Sequence, residues 1–503
     1  MTTSKIHNRV KSVIAGPGAG KTTGLVKEII GRLPDLAPYS YRHIAVITYT
    51  NAATADIREK LTRHCKVPPN VFIGTIHSFL NKFILMPFGS LYDKVPSDIS
   101  FIDNIEISQK EKNRKSQIIH KRKITTSVIQ KGFIPYDEIE RLSMELIDDK
   151  RIRRLVGIRL QMIFVDEYQD ATMKQHNILM EILKEAKTEC FIVGDPEQYI
   201  YGFTYRGKVK MPDFSKIPIL ATKDKSQVEK NVTNYRSSST IVKFLNKFNT
   251  QIQQRNTPAD SNCIKELNIY FNSAADLRDI FNKFDNICCT NSLSEKHNRF
   301  YLAKGNKIVN QIHQSFGISL LSKDDGCSKN ILSEALRYIT GVLGKSRKEI
   351  CEAKKLSTMD LRKYGMKVLR KIKDSPMIDE AEFQQFIATL FGLPISKEHK
   401  MKDSFNKMIA FNNDPKESYK HCSTIHKAKG LEAHAVLVIA ETKAELLKWF
   451  ETDHQRRCAD KLDTCREGFV AFSRAKELLC IACLEKLDSS ALETIQRLGI
   501  ESI

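Results

Sequence analysis

The chain has 503 residues, far more than one hydrophobic core organises, so several domains are expected. Lysine and arginine outnumber aspartate and glutamate 80 to 59, a formal charge of +21 that favours a polyanionic partner such as nucleic acid. No apolar run reaches the length of a membrane span, no apolar leader opens the chain, and the 12 cysteines lack a disulfide-framework spacing, so a reducing cytoplasm is expected and no membrane.

Taken in order, the first apolar run, Val13-Ile14, leads into Ala15, Gly16, Pro17, Gly18, Ala19, Gly20, Lys21, Thr22 and Thr23. Strand, glycine-rich turn and a helix running from Lys21 to about Leu33 make the context of a phosphate-binding loop. Glycines let successive N–H groups turn onto phosphate oxygens, and the helix N-terminus adds partial positive charge. Lys21 suits the β- and γ-phosphates, and the Thr22 hydroxyl suits Mg2+. Ala15 stands where the strict pattern has its first glycine.

Two further strands are predicted at Ile44 to Ile47 and Val71 to Ile73, with a helix over Ala52 to Leu61 between them. Their exits carry Tyr49, Thr50 and Asn51, then Thr75 and His77. Those types suit phosphate contact and base stacking, and equally suit ordinary turn chemistry. The sequence then turns polar and helix-prone, with a basic centre at Lys110 to Lys115 and Lys121 to Lys123. Such a run is either a solvated face or a nucleic-acid contact.

The α/β grammar resumes at Met162 to Val165, a strand delivering Asp166 and Glu167. Adjacent carboxylates complement a phosphate loop: Asp166 to hold Mg2+, Glu167 to orient and deprotonate water. Phe191 to Val193 leads to Gln198, a neutral amide able to sense a γ-phosphate, and to the exposed-looking aromatics Tyr201 and Phe203. Farther on, Leu277, Ile280, Phe281 and Phe284 share a helical face, and Asn286 to Thr290 reads as a strand. Cys480 and Cys483, within an apolar strand, have no second ligand pair at zinc spacing.

The order of these blocks resembles the superfamily 1 DNA helicases of the UvrD, PcrA and Rep type. Asn234-Tyr235-Arg236-Ser237, Thr424-Ile425-His426-Lys427-Ala428-Lys429-Gly430-Leu431-Glu432 and Phe469-Val470-Ala471-Phe472-Ser473-Arg474-Ala475 continue the match, and Ala15 fits that family's form of the loop. The resemblance implies an α/β fold of two RecA-like lobes with parallel sheets. The first comprises 1–86 and 156–225, around a helical insertion at 87–155; the second comprises 226–294 and 418–503, around a compact accessory insertion at 295–417. It implies ATP and Mg2+ in the cleft, single-stranded or partly duplex DNA across the lobes, and 3′ to 5′ movement.

Carried over by position, Lys21, Thr22, Asp166, Glu167 and Gln198 belong to the first lobe's ATP site, and Arg236 and Arg474 to the second lobe's γ-phosphate arginines. Tyr235 would stack on adenine and Glu432 would meet the ribose. Tyr49, Thr50, Asn51, Thr75, His77, Tyr201, Phe203, Thr424 and His426 would face DNA. Three positions depart from the pattern: no glutamine precedes the loop, Thr23 replaces an arginine, and Phe203 replaces a tryptophan. In length and layout the chain also resembles the helicase-like subunit of Gabija antiphage systems, which works beside a separate nuclease subunit. Two functions follow as expectations: an ATP-driven DNA translocase or helicase, or a DNA- or nucleotide-sensing ATPase that controls a nuclease partner.

Overall fold

Runs of Val and Ile that are apolar at every position, with no polar alternation, belong in parallel sheets covered on both faces. The computed structural model has two such sheets. It describes residues 9–36, 41–102, 105, 114–185, 187–201, 228–249, 252–257, 264–274, 276–293, 297–321, 331–375, 378–396, 401, 404–406, 408–409, 419–460 and 462–503.

The first sheet is built from β1 (Val10–Ala15), β2 (His43–Thr48), β3 (Val71–Thr75), β4 (Leu160–Val165), β5 (Glu189–Gly194) and β6 (Val228–Asn231). Its spatial order is β3-β2-β4-β5-β1-β6, all parallel. Alternate residues of β4 face opposite layers: Ile163 and Val165 join one core, Met162 and Phe164 the other. Strand β5 stands between β1 and β4, with Val13 beside Val193 and Val165 beside Ile192. The phosphate-loop end of β1 and the carboxylate end of β4 are therefore two strand spacings apart, roughly 10 Å, with the Gln198 turn between them.

The second sheet contains β7 (Ile269–Ser273), β8 (Arg299–Ala303), β9 (Ser319–Leu320), β10 (Lys420–Thr424), β11 (Ala433–Ala440), β12 (Ala475–Cys483) and β13 (Glu501–Ser502). Its order is β9-β10-β8-β11-β12-β7-β13, again parallel. Val436, Val438 and Ala440 pack to one side and Ala435, Leu437 and Ile439 to the other. Ile200, from the turn after β5, is buried in the second sheet's core, which docks the first lobe's turn into the second lobe.

One expectation is corrected. Asn286 to Thr290 is not a strand but the last turns of the helix Leu277–Thr290. The apolar spacing of Leu277, Ile280, Phe281 and Phe284 simply continues to buried Cys288. The two insertions meet. Ile102, Val128 and Phe133 share one core with the helical segment from Ala335 to Met408, and Arg337 ties the junction by donating to the Phe101 carbonyl (3.1 Å) and the Tyr136 hydroxyl (3.0 Å). Of the predicted basic run, 110–113 lie outside the described residues; Lys121 pairs with Asp137 at 3.0 Å and Arg122 and Lys123 are exposed.

Candidate active site

The phosphate loop spans the gap between β1 and the first helix, α1 (Lys21–Arg32). Gly18 and Gly20 both have φ near 70°, a left-handed backbone that glycine adopts at little cost. Lys21, the first residue of α1, folds its side chain back to within 3.4 Å of the Ala15 carbonyl and 3.9 Å of the Glu167 carboxylate. The Thr22 hydroxyl donates to Asp166 Oδ2 at 3.2 Å. Glu167 has φ 49° and ψ 43°, a left-handed conformation costly for a side-chain-bearing residue, about 1 kcal/mol or more. Its amide donates to Asp166 Oδ1 (2.9 Å), and Gln169 donates to its carboxylate.

Burial, and then the neighbouring Glu167, raise the Asp166 carboxyl. Burial pushes Glu167 the same way, but Lys21, Lys429, Gln169 and Arg474 outweigh it and hold that carboxyl below its ordinary value. The pair therefore divides its charge, with Glu167 the more readily ionised. Thr22 and Asp166 present hard oxygen donors already in contact, the donor chemistry Mg2+ takes together with water and phosphate. Among the described residues no group of His, Cys, Asp and Glu could hold a metal by itself, so these two would hold Mg2+ only in company with a ligand.

Gln198 is buried in the turn after β5, where its amide donates to Asp195 Oδ2 at 2.6 Å. Its carbonyl accepts from Arg474 Nη2 at 3.2 Å, across the interface between the sheets. Arg474 is 1% exposed, and burial and then Arg236 lower its guanidinium to about 9. Arg236 pairs with Glu432 at 2.5 Å, and Lys476 reaches the other oxygen of the same carboxylate at 2.6 Å. Tyr235 is half exposed, its backbone amide donating to the Gly18 carbonyl at 2.8 Å and its ring beside Gly20. A lysine, a hydroxyl, two carboxylates and an amide from the first lobe thus stand opposite Arg474, next to the second sheet, and Arg236, on the segment between the sheets.

Residues 1–204 match the family described as an AAA domain. Over 96% of its length the chain is 25% identical to Gabija protein GajB of Bacillus cereus strain VD045, covering 95% of that protein. It is 24% identical to ATP-dependent DNA helicase Rep of Buchnera aphidicola from Acyrthosiphon pisum, over 46% of this chain and 42% of Rep. The Rep of Escherichia coli K12 is 22% identical over 46% of this chain and 40% of its own length. The chain is thus similar to a Gabija protein over nearly its whole length and to Rep helicases over 46% of it. It spans less than half the length of the Rep proteins it matches.

The described residues among those expected to face DNA follow the carboxyl ends of strands in both sheets. Thr50, Thr75 and Thr424 each cap a helix, accepting the amides of Ala53 (3.1 Å), Ser78 (3.3 Å) and Lys427 (3.4 Å). Asn51 is exposed, whereas Tyr49 packs partly buried against the first core. His77 lies 3.7 Å from Glu140, and burial lowers its pKa. Tyr201, expected to be exposed, is half buried: Lys429 Nζ sits 5.1 Å over its ring and the His426 ring is 6.0 Å away. His426 also bonds the Ile200 carbonyl at 2.9 Å. Phe203 lies outside the described residues.

Sequence reasoning passed over four residues at the lobe interface. Lys429 pairs with Asp170 at 2.5 and 2.8 Å, both side chains nearly buried. Arg457 pairs with Glu197 at 2.9 Å, with side-chain exposures of 1% and 7%. Asp195 holds Gln198, and Gln169 bridges Glu167 to the Asp195 amide, which it accepts at 3.0 Å. Lys429 lies inside the Thr424 to Glu432 block, and Gln169 and Asp195 stand two residues from Glu167 and three from Gln198, so adjacency was an available signal; Arg457 had none.

Proposed function

We propose that this chain is an ATP-dependent single-stranded DNA translocase or helicase, moving 3′ to 5′ and hydrolysing ATP between its two lobes. The observation that carries the reading is the contact of Arg474 with Gln198, which brings a second-lobe cation onto the first lobe's phosphate-sensing turn. Lys21 and the loop amides bind the β- and γ-phosphates, and Tyr235 offers its half-exposed ring to the base. Thr22 and Asp166 would hold Mg2+, which neutralises phosphate charge when bound. Glu167, kept ionised by its cationic neighbours, takes the proton from the attacking water. Arg474 and Arg236 meet the charge that develops on the transferred phosphoryl group, so hydrolysis requires the lobes to be together. A triphosphate competes with Glu432 for Arg236, leaving Glu432 available to the ribose.

DNA lies across the carboxyl edges of both sheets, at Asn51, Thr75, His77, Tyr201, Thr424 and His426, with Tyr49, Thr50 and Phe203 completing the set. The net charge of +21 favours such a partner. The full-length similarity to a Gabija protein supports a place in antiviral defence beside a nuclease subunit. The cytoplasm is the compartment we assign, since the described cysteines are free thiols and no described helix is long and apolar enough to cross a membrane.

The test is ATP turnover with and without single-stranded DNA. Wild type should be stimulated by DNA, and Lys21→Ala should lose about 10³-fold or more of kcat/KM. Absence of wild-type turnover, or indifference to the substitution, overturns the reading. Stimulated turnover with strand separation only when a nuclease partner is added would make the chain a regulatory ATPase instead.

A further inference from the structure

Between the two sheets the chain passes over the back of the phosphate loop, and it grips that back with amides. Asn231, the last residue of β6, donates Nδ2 to the Ala19 carbonyl at 2.9 Å. Asn234 donates to the Pro17 carbonyl at 2.9 Å, and the Tyr235 backbone amide to the Gly18 carbonyl at 2.8 Å. After the helix Ser239–Asn246 the chain returns, and Gln254 donates Nε2 to the same Pro17 carbonyl at 3.0 Å. Gln254 is buried and held at both backbone atoms by Asn246, which accepts its N–H (2.8 Å) and donates to its carbonyl (2.8 Å). The grip is close: a Cβ at Gly16 would stand 2.4 Å from Gln254, and one at Gly18 2.5 Å from Asn234.

The same segment is fastened to the second lobe. Ser237 donates its hydroxyl to the Ala475 carbonyl (2.8 Å), Arg236 donates to the Ser473 carbonyl (3.2 Å), and the Ser238 amide to the Lys476 carbonyl (2.7 Å). A peptide group is planar and rigid, so a carbonyl and the N–H of the next residue turn together. The carbonyls of Pro17, Gly18 and Ala19 share their planes with the N–H groups of Gly18, Ala19 and Gly20, the amides a phosphate-binding loop turns onto its ligand. When phosphate draws those amides inward, the carbonyls on the other side of each plane must turn against Asn231, Asn234 and Gln254.

We propose that Gln254, acting with Asn234 on the Pro17 carbonyl, is a positioning residue that transmits phosphate occupancy of the loop to the second lobe, and so couples nucleotide to DNA affinity. The inference rests on the proposed function in taking a nucleoside triphosphate as the loop's ligand and DNA as the ligand spanning both lobes. Linked binding of this kind amounts to about five- to 150-fold in affinity.

The experiment measures the affinity of a fluorescent single-stranded oligonucleotide for the full chain, with and without a non-hydrolysable ATP analogue and Mg2+. Wild type should show a nucleotide-dependent ratio well away from one. Gln254→Leu, and Gln254→Glu, which keeps the shape but loses the donor, should bring that ratio about fivefold or more toward one. DNA affinity without nucleotide should stay within about twofold, because Gln254 lies on the loop's back and not on the sheet edges. A merely structural role would lower the melting temperature and both affinities while leaving the ratio alone. An unchanged ratio in both variants overturns the clamp, as does a wild-type ratio of one. Hydrolysis, measured in parallel, decides the ATPase reading separately: a wild type that turns over ATP yet shows no coupling loses only the clamp.

Discussion

The two halves of the cleft differ in how they are charged and in how they are assembled. The first lobe brings carboxylates, Asp166, Glu167, Asp170 and Glu197, from turns that directly follow β4 and β5. The second lobe brings cations, Lys429, Arg457 and Arg474, all buried, and each contacts the first lobe: Asp170, Glu197 and Gln198 in turn. Neither half is electrostatically complete alone. Separating them would leave buried charge without its counterpart, so closure of the lobes is also what neutralises the site.

That asymmetry predicts different failures on the two sides. The largest effect is on chemistry: under the proposed function, in which Arg474 meets charge that appears in the transition state, Arg474→Gln should lower kcat by about 10³-fold while changing KM only a few-fold. Steady-state kinetics checks this, and a KM rise matching the kcat loss would erase the distinction between the lobes. Next comes stability. Arg457→Gln removes the cation 2.9 Å from the buried Glu197 carboxylate and should cost about 3–5 kcal/mol in urea unfolding. Adding Glu197→Gln should recover much of that loss, since it removes the buried negative charge; no recovery would mean the pair acts by packing.

The smallest effect is one of pH. Glu467, 1% exposed on the helix Thr464–Phe472, has its carboxyl raised by burial from 4.5 to about 7, against the pull of Lys304 at 2.7 Å. The folded chain therefore holds a proton between pH 4.5 and about 7 that the unfolded chain releases, so this group's stabilisation is complete below 4.5 and lost as pH rises through 7. Glu467→Gln should leave stability nearly unchanged at pH 4.5 and raise it by about 3 kcal/mol at pH 8, as measured by urea melts at both values. A gain independent of pH would show that packing, not titration, governs this position.

Much of the first lobe's site was legible in sequence because it is local. A strand, a glycine turn and Lys21 at the start of α1 are consecutive, and the turn itself imposes the geometry. Asp166 and Glu167 follow a strand for the same reason. The error at Asn286 to Thr290 is also local: a short Ile-Cys-Cys run fits a strand or the end of a helix, and only the spacing from Leu277 through Cys288 separates them. Gln254 and Arg457 carried no signal, because their partners, Pro17 and Glu197, lie hundreds of residues away in the chain.

By itself, then, the sequence determined that a glycine turn and a helix start follow β1 and that two adjacent carboxylates follow β4, since backbone turns and helix starts depend on neighbours a few residues apart. The tertiary structure alone decided the order β4-β5-β1, which sets the Gln198 turn between the loop and the carboxylates. It also decided that Arg474 reaches that turn, that Lys429 covers Tyr201, and that Gln254 closes on the back of the loop. Those are distances across sheets and between lobes, and they are fixed by strand order and by which charges can be buried together, neither of which is written in any short stretch of chain.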